Sequence, residues 1–130
     1  MTEQVKSPDF VEYHRDILPA LLEHGRGQLL AGQHLPVLGL SVVGIDESFS
    51  YSLSEQGLGI GRGIDNADVS IMLTEKDWRG LVEDLETVPG ILYGGRLAGH
   101  TGNLMDFVRW EPALRALYTG RPIYDAEHFE

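Results

Sequence analysis

Residues 67–85 read ADVSIMLTEKDWRGLVEDL, and this stretch decides the fold. Val69, Ile71 and Leu73 alternate with Ser70 and Met72, the period of a half-buried strand. Thr74 and Asp77 have the spacing of a capping box, with Thr74 accepting from exposed amides and Asp77 reaching back. Trp78, Leu81, Val82 and Leu85 then fall at i, i+3, i+4 and i+7, one apolar stripe on a helix. A strand that enters a helix with no loop between them makes the helix fold back onto a sheet. The remaining elements must supply that sheet and cover it.

Upstream, Ser7-Pro8 reads as an N-cap followed by proline at the first helical position. Phe10, Tyr13, His14 and Ile17 then share one face of a short helix. Pro19 interrupts it, and Leu18, Leu21 and Leu22 continue an apolar face to about Gly25. Gly25-Arg26-Gly27 is a break, since it lacks the preceding strand and the Lys-Ser/Thr of a phosphate loop. Leu29 and Leu30 add one more turn.

From Pro36 the period changes. Residues 37–43 form a continuous apolar run suited to a strand, closed by a turn at 44–47. Phe49, Tyr51 and Leu53 alternate with Ser48, Ser50, Ser52 and Ser54, a strand with one aromatic face and one small hydroxyl face. Residues 55–57 turn into a strand in which Gly57, Gly59, Gly61 and Gly63 alternate with Leu58, Ile60 and Arg62. One face of that strand is stripped of side chains, which fits close packing or an edge bulge, and also fits room for a ligand. Short connections predict that these strands and 67–73 are antiparallel neighbours.

Downstream, residues 88–93 read as a short helix with Pro89 in its first turn, closed by Gly94-Gly95. Residues 96–101 read as a fifth strand weakened by Gly99. A final helix carries Leu104, Phe107 and Val108 on one side. Pro112 forces a kink near Trp110-Glu111, after which Ala113, Leu114 and Leu117 restart the apolar face. The expected architecture is α+β, a five-stranded, mainly antiparallel sheet covered by helices.

Composition narrows function by exclusion. The chain has 20 Asp plus Glu against 10 Lys plus Arg, a formal net charge of −10, and its cations are scattered. Phosphate backbones and anionic membrane surfaces are poor partners for such a surface. No cysteine is present, so disulfides and thiol catalysis are excluded. The N-terminus lacks the apolar segment of a signal peptide, and the longest uncharged apolar run, 35–45, is too short for the roughly 20 residues a membrane span needs. These features lead to the expectation of a cytoplasmic protein without stable membrane insertion.

Catalytic constellations are missing from the pattern. His14, His24, His34, His100 and His128 have no ligand spacing, and neither HExxH nor GxSxG occurs. His100, in the weak fifth strand, is the best candidate among the five for a role, although a structural histidine is the simpler reading. No metal site, cofactor or catalytic residue is expected. What remains is apolar: Trp78, Leu81, Leu85, Ile91, Leu92, Leu104, Met105, Phe107 and Val108, all on helices or in their last turns, must face the sheet, and Met72 of the strand joins them as a filler. Core and cavity use the same residue types, so these ten are both the core candidates and the ligand-binding candidates. Met72 and Met105 would suit an adaptable cavity.

Across residues 38–117 the chain resembles the sterol carrier protein-2-like (SCP2) domain family. The resemblance rests on Ala67-Asp68-Val69, on Thr74-Glu75-Lys76-Asp77-Trp78 and on Gly95-Arg96-Leu97, in that order and spacing. It implies an α/β sandwich with a hydrophobic tunnel for sterols, fatty acids or acyl-CoA, and carries no catalytic residue or cofactor. Residues 95–102 run about one residue longer than the family's usual strand, which with Gly99 suggests a bulge, and Pro112 bends a helix that forms a tunnel wall. Residues 110–125 look like the junction at which some bacterial proteins pass into a phytanoyl-CoA dioxygenase-like domain.

The expected organisation is an N-terminal helical segment (1–35), an SCP2-like domain (36–120, forming one globular unit with 1–35) and a tail or linker (121–130). The expected function is non-catalytic binding of an apolar or amphipathic small molecule. The alternative is a ligand-free interaction domain that docks a protein partner, a fused catalytic domain or a second copy of itself.

Overall fold

The structure is a computed structural model that describes residues 9–121. An N-terminal segment comprises α1 (Phe10–Glu12), a π-helical turn (Tyr13–Ile17), α2 (Leu18–Glu23) and a 3₁₀ turn (Arg26–Leu30). Strands β1 (Leu38–Val42), β2 (Phe49–Ser54), β3 (Gly57–Arg62) and β4 (Val69–Leu73) follow, and β4 leads straight into α3 (Glu75–Val82). The chain continues as α4 (Val88–Tyr93), β5 (Gly99–Thr101), α5 (Leu104–Arg109) and α6 (Glu111–Thr119). The Ser7-Pro8 cap lies outside the described residues. Asp9 caps α1 instead, its carboxylate accepting from the Glu12 amide at 2.7 Å.

The five strands form one mixed sheet in the order β3-β2-β1-β4-β5. The expected antiparallel neighbours occur at β1–β2 and β2–β3, but β4 lies parallel to β1 on its far side. Residues 63–68 make this possible by crossing the outer face of the sheet over Gly39. A Cβ there would sit 2.7 Å from the Ile64 methyl and 3.0 Å from that of Ala67, so a side chain at this position would push the crossover away. The inner face carries Leu38, Leu40 and Val42, Phe49 and Tyr51, and Val69, Ile71 and Leu73, all buried beneath the helices.

The glycines of β3 have separate reasons. Gly57 has φ +119°, a conformation L side chains rarely adopt, and its Cα faces the Gly27 backbone of the 3₁₀ turn. Gly59 and Gly61 face the Ser52 and Ser50 hydroxyls across the exposed side of the β2–β3 ladder. The fifth strand is only three residues long, paired antiparallel to β4.

The β4–α3 unit is fastened at both ends. Thr74 caps α3 by accepting from the Asp77 amide at 3.2 Å. Asp77 does not reach back, as a capping box requires; its carboxylate instead accepts from Arg96 at 3.0 Å, and Arg96 also holds Glu86 at 2.9 and 2.7 Å. That fork holds the Glu86 carboxyl below its ordinary range. The helix stops at Val82, one turn short of Leu85: Asp84 takes φ 61°, and the amides of Asp84 and Leu85 bond back to the carbonyls of Leu81 and Gly80. This is a Schellman closure with an aspartate in the usual glycine place. It throws Leu85 out to solvent at 76% exposure.

The kink expected at Pro112 is present as the break between α5 and α6. Trp110 occupies it, buried, with its indole N–H donating to the Pro36 carbonyl at 2.8 Å. Among the described residues no helix is long and apolar enough to cross a membrane.

Candidate functional site

Pro19 shapes the site. It has no amide to offer the Arg15 carbonyl and its ring crowds that carbonyl, so an α-helical turn cannot continue through it. The chain does not break there, as the sequence suggested. It widens into the π turn Tyr13–Ile17, with the Leu18 amide bonding to Tyr13 five residues back. The widened turn stands against the ends of β2 and β3, and an open groove of about 430 Å³ lies between them. His14, Arg15, Asp16 and Pro19 form one wall; Phe49, Ile60, Gly61 and Arg62 form the other. This volume falls within the range of small-molecule sites, about 300–1,000 Å³.

The groove's floor is aromatic. The His14 ring stacks on Phe49 with centroids 4.6 Å apart and planes 10° from parallel. His14 is 2% exposed, and burial pushes its pKa down to about 4. The ring is therefore neutral at pH 7, and its neighbours settle the tautomer. Nδ1 lies 2.8 Å from the Phe10 carbonyl, which can only accept, so Nδ1 carries the proton. Nε2 then accepts from the Tyr51 hydroxyl at 2.6 Å, and Tyr51 in turn accepts from Tyr118 at 2.8 Å. Burial raises the pKa of both phenols, that of Tyr118 to about 12. A directed chain of hydrogen bonds thus runs inward from the groove at His14 through Tyr51 to Tyr118.

Beyond the floor the space between helices and sheet is filled by rings. Trp78 packs edge-on to Phe10 at 5.1 Å and to Tyr13 at 5.4 Å, and Tyr13 meets Tyr118 at 5.9 Å. Two buried donors in this cluster, Tyr13 Oη and Trp78 Nε1, complete no hydrogen bond. Trp78 Nε1 lies beside the Tyr118 hydroxyl without the geometry of a full bond to it.

The ten candidate residues divide by position. Trp78, Leu81, Ile91 and Phe107 are buried together under the helices, with Trp78 at 1% and Ile91 and Phe107 at 0% exposure. Leu92, Leu104 and Val108 are half-buried at the margin of the same core. Leu85, Met105 and Met72 stand at the surface, Met72 because its β4 position points away from the helices. None of the ten lines the open groove.

His14, Tyr51 and Tyr118 were not singled out from the sequence. His14 shared an apolar helical face with Phe10 and Tyr13, and a histidine there was the available signal. His100, preferred among the histidines, is exposed in β5 opposite Ile71. His128 lies outside the described residues. Among the described residues no group of three or more His, Asp or Glu side chains is placed to hold a metal ion.

No family model matches the sequence, and no curated protein does. Solved structures do match. Sterol carrier protein 2 from Yarrowia lipolytica in its apo form is similar with 18% identity and TM-score 0.60, over 92% of this chain and 100% of that one. Sterol carrier protein-2 like-3 from Aedes aegypti is similar with 13% identity and TM-score 0.58, over 83% and 98%. A stereoselective inverting sec-alkylsulfatase from Pseudomonas sp. matches over 80% of this chain but only 15% of that protein, with 15% identity and TM-score 0.52. The order of elements and the likeness to stand-alone sterol carrier domains along nearly their whole length show that this chain has the SCP2-like α+β fold.

Proposed function

We propose that the chain is a non-catalytic lipid-binding module that takes a fatty acid, acyl-CoA or sterol-like ligand between its helices and its sheet. The observation that carries this reading is the groove of about 430 Å³ at the seam of the two layers, in a chain with the SCP2-like fold. Its floor, the His14–Phe49 stack, separates solvent from the ring cluster around Trp78. An apolar tail entering here would part the N-terminal segment from the strands and line up with Trp78, Leu81, Ile91 and Phe107. Leu92, Leu104 and Val108 border that path. Tyr13 Oη and Trp78 Nε1, which complete no bond in the closed arrangement, would meet an acceptor oxygen on such a ligand. Titration of a fluorescent fatty acid or acyl-CoA tests the reading: saturable binding is expected, and its absence for both probes refutes it.

The closed interior favours a second reading, a ligand-free domain that docks a partner, a fused catalytic domain or a second copy. Size exclusion with light scattering, before and after removal of residues 121–130, separates the two. A monomer unaffected by the truncation speaks against docking.

A further inference from the structure

We propose that the groove is a head-group site for a carboxylate amphiphile and that Arg62 holds the carboxylate. The inference rests on the lipid-binding reading above and assigns it a polar anchor.

Arg62 stands apart from the other arginines. Arg15 holds Glu47 at 2.6 Å, Arg79 holds Glu75, Arg96 holds Asp77 and Glu86, and Arg109 holds Asp106. Arg115 pairs with Glu111 and Asp84, Arg121 approaches Asp84, and Arg26 donates to the Leu117 carbonyl. Among the described residues Arg62 alone of the arginines has a side chain with neither an ion pair nor a hydrogen bond. In a chain with twice as many carboxylates as cations, that is the exception. Its position is equally specific: it ends β3 on the wall of the groove, opposite the π turn.

The chemistry follows from the two kinds of lining. Pro19 and Ile60 offer an apolar bed for the first carbons of an alkyl chain, above the buried Phe49 ring. A guanidinium matches the planar geometry of a carboxylate with two parallel hydrogen bonds, and does so best beside apolar surface. The acidic neighbours limit the site to one anchor. Glu47 is already taken by Arg15, and Asp16, on the facing wall, disfavours a second negative group. The volume suits one small molecule.

The test compares a fluorescent hexadecanoic acid probe with its methyl ester, against the wild-type chain and against Arg62→Glu, Arg62→Gln and Arg62→Lys. The wild type should bind the acid at least about tenfold tighter than the ester, which corresponds to about 1.4 kcal/mol. Arg62→Glu and Arg62→Gln should erase that preference while leaving ester binding as it was, and Arg62→Lys should keep part of it. Added salt should narrow the preference in the wild type. Because Arg62 holds no other group, all three variants should melt like the wild type, which separates a binding effect from a folding one. Equal binding of acid and ester by the wild type overturns the anchor and leaves lipid binding standing. So does a preference that survives Arg62→Glu. Failure of the acid and the ester to bind overturns the anchor, and failure of the acyl-CoA probe as well overturns lipid binding.

Discussion

Helix α3 and the N-terminal segment both pack on the same core, and their side-chain fastenings differ in reach. Around α3 the fastenings are local: Thr74 to Asp77 at three residues, Arg96 to Glu86 at ten, Arg96 to Asp77 at nineteen. In the N-terminal segment the longest reach further: Arg15 to Glu47 at 32 residues, His14 to Tyr51 at 37, Arg26 to Leu117 at 91. The first region closes on itself and presents filled space. The second is an applied lid whose seam with the sheet leaves a groove. On the proposed reading, stability rests on the first region and ligand access on the second.

The largest expected effect tests the filled region. Trp78→Ala and Phe107→Ala should each cost about 3–5 kcal/mol in urea denaturation, the range for large aromatics removed from a closed core. A loss below about 1 kcal/mol would mean that the space around them is already loose, and the contrast with the seam would fail.

The seam has a pH signature. His14 titrates near 4 when folded and near 6.5 when unfolded, so the unfolded chain binds more protons between those values. Its contribution to stability is complete above about pH 6.5, is lost as pH falls toward 4, and changes no further below. The total is roughly 3 kcal/mol at 1.36 kcal/mol per unit. Subtracting the pH profile of His14→Gln from that of the wild type isolates it. Superimposable profiles would show that the ring is not buried in the closed state.

Tyr51→Phe cuts the hydrogen-bonded chain in its middle and leaves His14 Nε2 and the Tyr118 hydroxyl without their partner. The expected cost is about 1–3 kcal/mol, read from the same denaturation curves. No cost would mean that the two neighbours find other partners and that the chain does not hold the lid.

The smallest effect belongs to the surface. Leu85→Ser and Met105→Ser should stay within about ±0.5 kcal/mol, since both side chains are mostly exposed. A larger loss would show that one of them is covered in solution.

The same contrast explains what could be read from the residues alone. The strand-to-helix transition, the Thr74 cap, the Pro89 helix and the break at Pro112 are signals written within a few positions. The segments that carry the SCP2-like resemblance are of this kind, and three of their charged residues are fastenings: Asp68 accepts from the Val37 amide at 2.8 Å, and Asp77 and Arg96 grip one another. The parallel placement of β4 was hidden because it depends on a crossover packing on Gly39, a contact between remote segments. The extra turn assigned to Leu85 failed because apolar spacing continues past a helix that Asp84 ends. The groove was illegible for a deeper reason. Pro19 announces a disturbed helix, but the opening exists only where β2 and β3 happen to end against it, and nothing local to Phe49 or Arg62 records that.

The central claim is that an amphiphile enters at this seam. The direct measurement is a titration of isotope-labelled protein with hexadecanoate below its micelle concentration, followed through backbone amide resonances. Saturable shifts should appear first at His14, Phe49, Ile60 and Gly61, with the Trp78 indole N–H following along the same curve. Amides that stay unmoved at the groove, or that drift without saturating, would contradict the account.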